Sequence, residues 1–125
     1  MTPRFALGVS AVLMFLAVAC GAFGAHALRS RLTPEALSIW QTAVQYHAWH
    51  ALALLGVGLW LARTPEAGAL AWAGWLFVAG IVLFSGSLYA LAFTGVKGLG
   101  AITPFGGVAF LAGWLALAWA AWRLG

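Results

Sequence analysis

The chain has 125 residues, of which 65% are hydrophobic and only 6% charged, whereas about a quarter of an ordinary soluble domain is charged. A soluble domain is excluded, because four membrane spans of roughly 20 residues would occupy about 80 positions and leave connections too short to fold alone. The net charge of +4 comes from six Lys and Arg spread singly along the chain, so there is no basic stripe for a nucleic acid; these cations suit lipid headgroups at span ends.

Every proline follows a threonine, in Thr2-Pro3, Thr33-Pro34, Thr64-Pro65 and Thr103-Pro104. A Thr hydroxyl at an N-cap accepts an orphan backbone N–H, and Pro at the first helical position has no N–H to lose. The pairs therefore predict four helices: about Pro3 to His26, Pro34 to Ala62, Pro65 to Phe93 and Pro104 to Trp122. In the first, Arg4, an apolar run and Ala17-Val18-Ala19-Cys20 imitate a lipoprotein cleavage box. The apolar run continues through Ala25, so the helix is read as a retained span. Cys20 is the only cysteine, which excludes an internal disulfide. Glu35 and Glu66 fall in the first turns of the second and third helices, where the helix dipole favours negative charge.

Short connections make consecutive helices antiparallel, giving an all-α integral membrane four-helix up-and-down bundle with both termini on the same side. The third connection, Thr94 to Ala101, is the expected flexible one, with Gly95, Gly98 and Gly100 around Lys97. Trp60, Trp72, Trp75, Trp119 and Trp122 fall at the termini face as one half of an aromatic belt, and Trp40, Tyr89, Phe93 and Phe105 at the other. Arg4, Arg63 and Arg123 balance Arg29, Arg31 and Lys97, so positive charge sets no orientation.

The chain has neither Asp nor Asn, and its two carboxylates sit at helix starts. Mid-membrane carboxylate chemistry is therefore excluded, and with it a proton-coupled exporter that needs an acidic residue deep in its first helix. Polar residues concentrate in the second helix. At 100° per residue Glu35, Ser38, Gln41, Thr42 and Gln45 share one arc, while His47 and His50, about 60° apart, lie on a different face with Ala36, Trp40, Ala43 and Leu54. Counting about 1.5 Å per residue brings Cys20, Gly21, His47, Ser85 and Gly107 to one level, with His50, Ser87 and Tyr89 close by. This layer reads in two ways: as interhelical bonding between close-packed helices, or as the lining of a pocket that opens on the face of the first and third connections.

The candidate polar layer or ligand pocket comprises Gln45, His47, His50, Ser85, Ser87, Tyr89 and His26; Gly21, Gly24, Gly86 and Gly107 are the expected packing positions. His47 and His50 lack the third and fourth ligands that a zinc site needs, and His26 is badly placed to pair with either across a haem. No metal, cofactor or catalytic residue is expected. The small-residue faces suit a homo-oligomer or a membrane partner protein, besides contact with membrane lipids.

Four segments carry a family resemblance: Gly21-Ala22-Phe23-Gly24-Ala25-His26, Gln41-Thr42-Ala43-Val44-Gln45-Tyr46-His47 with His50-Ala51-Leu52-Ala53, Leu83-Phe84-Ser85-Gly86-Ser87-Leu88-Tyr89, and Ile102-Thr103-Pro104-Phe105-Gly106-Gly107. In this order they resemble the bacterial inner-membrane family catalogued as domain of unknown function 423, to which human mitochondrial transmembrane protein 256 is similar. The resemblance implies a small multi-pass protein of the bacterial inner membrane and brings no activity, cofactor or catalytic residue. The expected function is a non-enzymatic scaffold or accessory protein. The alternative is a membrane pocket that binds or moves a lipid, a quinone-like molecule or a small solute.

Overall fold

Two of the four Thr-Pro pairs cap helices as their chemistry dictates. The Thr2 hydroxyl accepts the Phe5 N–H at 3.1 Å at the start of α1 (Pro3–His26), and the Thr33 hydroxyl accepts the Ala36 N–H at 3.1 Å at the start of α2 (Pro34–Leu61). Thr64 is different. Its hydroxyl donates backwards to the Trp60 carbonyl at 3.1 Å, so it cannot cap the helix ahead, and Thr64-Pro65-Glu66 forms a turn closed by the Ala67 N–H on the Thr64 carbonyl. The third span therefore begins at Gly68, later than the expected Pro65, and has no side-chain cap. The Thr33→Ala variant is expected to lose about 1 kcal/mol of stability. Thr64→Ala should lose less than half as much, since the Trp60 carbonyl still receives backbone donors; thermal unfolding of both variants in one detergent checks the difference.

The computed structural model describes residues 1–124. Its third span is not one regular helix. α3 (Gly68–Gly80) passes into a π-helical turn at Ile81–Ser85 and then into α4 (Gly86–Thr94). Gly95, at φ 70°, ends α4 by returning its N–H to the Leu91 carbonyl at 2.8 Å, a left-handed closure that glycine adopts without steric cost. The third connection, expected to be flexible, is organised into a 3-10 turn at Lys97–Ala101 that leads into α5 (Thr103–Leu124).

α1, the third span and the segment ending in α5 are each long and apolar enough to cross a membrane. α2, with 28 residues, is longer than α1, but its glutamines and histidines lower its hydropathy. The ring of Phe5 lies 5.4 Å from that of Trp75, so α1 and α3 start at the same end of the bundle, and α2 must run back across the full depth to join them. Its histidines are buried among the other spans, while its glutamines lie on the exposed side of its first half; α2 has nine buried residues, as many as the third span and more than the four each in α1 and α5. Consecutive spans pack side by side, whereas α1 and α5 scarcely touch. Four passes place both termini on one side.

Two clusters fill the interior. Leu54, Val57, Leu61, Leu70, Ala73 and Phe77 form the larger one, toward the termini. Nearer the first connection, Leu28, Trp40 and Ala92 pack with Cys20 and Tyr89. Trp40 and Tyr89 thus belong to the interior rather than to an aromatic belt, and Trp40 donates its indole N–H to the Cys20 carbonyl at 2.9 Å.

Gly24 provides the room for Trp40: a Cβ there would lie 2.7 Å from the indole. Gly21 is also tight, with a Cβ 3.3 Å from Val44. The other two expected packing positions are corrected. Gly86 is exposed because the preceding π turn re-phases the helix, and a Cβ on Gly107 would make only an ordinary contact with Phe84 at 3.9 Å. The close approach of α5 occurs one residue earlier, where a Cβ on Gly106 would collide with the Phe84 backbone.

Candidate functional site

The polar arc of α2 lies on the outside, with Glu35, Ser38, Gln41 and Gln45 exposed, while His47 and His50 are buried. The two histidines diverge, because about 60° of helical rotation separates their directions. His47 turns to α4: its Nδ1 and the Tyr89 hydroxyl share a hydrogen bond of 2.8 Å. Its Nε2 is buried without a hydrogen-bond partner among the described residues. His50 turns to α5. Its Nδ1 donates to the Tyr46 carbonyl at 2.7 Å, and its Nε2 accepts the Trp114 indole N–H at 3.0 Å. Both nitrogens are used, the ring is neutral, and a proton added to Nε2 would face another donor. Phe110 stacks on this imidazole with centroids 3.6 Å apart and planes at 13°.

The serines are tied up locally. Ser85, in the π turn, donates to the Ala43 carbonyl of α2 at 2.8 Å. Ser87 pairs with Thr103 at 2.6 Å and also donates to the Phe84 carbonyl at 3.0 Å. The Thr103 hydroxyl, expected as a cap, therefore joins α4 to α5. Polar groups in hydrocarbon must find partners, and these bonds link the spans pairwise. Gln45 and His26 stand apart from this layer. Gln45 is exposed beside the contact of Gly21 and Gly24 with α2, and His26 is exposed in the last turn of α1.

A lateral groove of about 670 Å³ runs along the contact of α2 with α5 next to the buried layer. Six of its ten lining residues carry aromatic or imidazole rings: Tyr46, Trp49, His50, Phe84, Phe110 and Trp114. Pro104, Gly107, Val108 and Leu111 complete the α5 side. Of these, only His50 and Gly107 belong to the sequence-derived site. The signal available in the sequence was the four-residue spacing of Tyr46 with His50 and of Phe110 with Trp114, which stacks rings along one side of each helix. The volume falls within the range of small-molecule sites. Its walls can take an apolar body, and the tautomer fixed at His50 leaves that ring no free hydrogen-bonding atom.

The sequence profile described as "Protein of unknown function (DUF423)" matches residues 20–107. The UPF0382 membrane protein YwdK of Bacillus subtilis is 49% identical over 92 residues, covering 74% of this chain and 75% of its own length. The UPF0382 membrane protein SERP0230 of Staphylococcus epidermidis is 50% identical over 92 residues, with 74% of each chain covered. The UPF0382 inner membrane protein YgdD of Escherichia coli is 41% identical over 97 residues, or 78% of this chain and 73% of its own. No solved structure matches. The motifs that run from Cys20 to Gly107, including both buried histidines, Ser85 and Tyr89, lie inside the matched region, and the helices around them span a membrane. The chain is a multi-pass bacterial inner-membrane protein and belongs to the DUF423 family, whose UPF0382 members share its length and character.

Proposed function

We propose that this protein is a non-enzymatic membrane pocket, which holds an amphiphile of the bilayer in the groove between α2 and α5, and that its buried polar layer serves the bundle and not the ligand. The observation that carries the reading is the groove itself: about 670 Å³ of ring-lined space beside a layer in which His50, Ser85, Ser87, Thr103 and Trp114 are bonded within the bundle. Of the two functions expected from the sequence, this is the pocket rather than the scaffold. The second large groove, of about 600 Å³ between α1 and α2, has less to offer a polar head, because Ser10 there already donates to the Leu7 carbonyl at 2.8 Å.

Native mass spectrometry of gently extracted protein tests the proposal. A stoichiometric bound mass is expected on the wild type, lost in Val108→Trp, which fills the groove, and retained in Leu115→Trp, an equally bulky change on an exposed part of α5 outside it. A wild-type protein without bound mass, or a bound mass insensitive to Val108→Trp, overturns the pocket and turns the search to partner proteins.

A further inference from the structure

Resting on that reading of the groove, we infer that its occupant is a lipophilic quinone, a flat ring bearing carbonyl oxygens, and that Tyr46 donates a hydrogen bond to it. The inference starts from which polar atoms remain unused. His50 and the Trp114 indole are bonded to each other, and Ser85, Ser87, Thr103 and Tyr89 are all paired. Tyr46 lines the groove, yet its hydroxyl has no hydrogen-bond partner among the described residues while retaining accessible surface. The half-exposed Trp49 beside it, with ring centroids 5.1 Å apart, likewise has an unpartnered indole N–H. The indole N–H can only donate, and the phenol hydroxyl donates as well as accepts. The ligand chemistry that suits both together is an acceptor, and a quinone carries two carbonyls on one ring.

Depth narrows the class. Tyr46 lies 12 residues from Pro34 and 15 from Leu61, which puts it about 18 Å and about 22 Å from the two ends of α2. α2, about 42 Å long, overhangs the roughly 30 Å hydrocarbon core by about 6 Å at each end when centred on it, which puts Tyr46 about 12 Å below the nearer interface. Phospholipid esters and phosphates stay near the interface and do not reach Tyr46. An uncharged ring carbonyl on an apolar tail can occupy that level. Shape agrees: the Tyr46 ring stands 4.5 Å from Phe84, and the imidazole stack on Phe110 forms the neighbouring wall, surfaces against which a planar ring packs in offset or edge-on geometry. Pro104 at the mouth and Trp114 further in, ten residues along α5, give a channel about 15 Å long that opens toward the third connection.

The test titrates the full chain in nanodiscs with decylubiquinone and, separately, with decylbenzene, which has the same tail and a ring but no hydrogen-bonding oxygen, reading bound mass by native mass spectrometry. Tyr46→Phe removes only an unpartnered hydroxyl, so the bundle is expected to fold unchanged. Decylubiquinone should bind more tightly than decylbenzene. Tyr46→Phe should weaken the quinone about five- to tenfold, the loss of one neutral hydrogen bond, and leave decylbenzene unaffected, while Val108→Trp should remove both. If the quinone binds no better than decylbenzene, or Tyr46→Phe leaves it unchanged, the quinone inference fails, and the pocket reading survives provided Val108→Trp still expels decylbenzene. If neither probe binds, or Val108→Trp expels neither, the pocket fails as well.

Discussion

Gly106→Ala is expected to cost about 3 kcal/mol, among the largest effects of any single-methyl addition in the bundle. The new Cβ would lie 2.7 Å from the Phe84 Cα and closer still to the Phe84 amide nitrogen. Backbone cannot rotate aside as a side chain can, so α5 would have to move away from the π turn, loosening the Ser87–Thr103 bond that ties the same two segments. Gly86→Ala, on the exposed side of the same span, meets nothing but its own helix at 4.0 Å. That variant should be neutral or gain up to about 1 kcal/mol through helix propensity. Thermal unfolding in matched detergent separates the two; equal melting temperatures would mean that α5 does not approach the third span at Gly106.

His50 carries the second large effect. His50→Phe keeps a flat ring against Phe110 but leaves the Trp114 N–H without its acceptor, an expected loss of about 2 kcal/mol. His50→Ala also empties the stack and should lose about 4 kcal/mol. The double change His50→Phe with Trp114→Phe removes both partners together and should recover most of the cost of His50→Phe alone, since an apolar pair leaves nothing unsatisfied. Strict additivity of the two single losses would show that the imidazole and the indole do not interact. The cycle is read from thermal unfolding followed by near-ultraviolet circular dichroism.

Local chemistry makes much of this legible in the sequence. Thr2 and Thr33 cap helices because each hydroxyl has only the helix ahead to serve, and the exposed arc from Glu35 to Gln45 follows from 100° per residue. Thr64 and Thr103 carry the same dipeptide, but their hydroxyls go to the Trp60 carbonyl and to Ser87, choices set by neighbours that periodicity does not show. The π turn at Ile81–Ser85 has no composition signal in an apolar run, yet it decides that Ser85 reaches α2 and that Gly86 does not pack. His47 and His50 look like one face at three-residue spacing. In three dimensions the small angle between them is enough to send one to Tyr89 and the other to Trp114. The groove was the least legible feature. Tyr46, Trp49, Phe110 and Trp114 read singly as lipid-facing or core aromatics, and only the juxtaposition of α2 with α5 turns them into a recess.

The pocket reading rests on that recess staying open in a bilayer and holding something. An experimental structure determined in nanodiscs formed from the native membrane, without added detergent, tests this most directly. Elongated non-protein density between Tyr46 and Val108, with the His50 imidazole still receiving the Trp114 N–H, is the predicted result. A groove filled by the Trp49 or Leu111 side chains, with no density between Tyr46 and Val108, would contradict it.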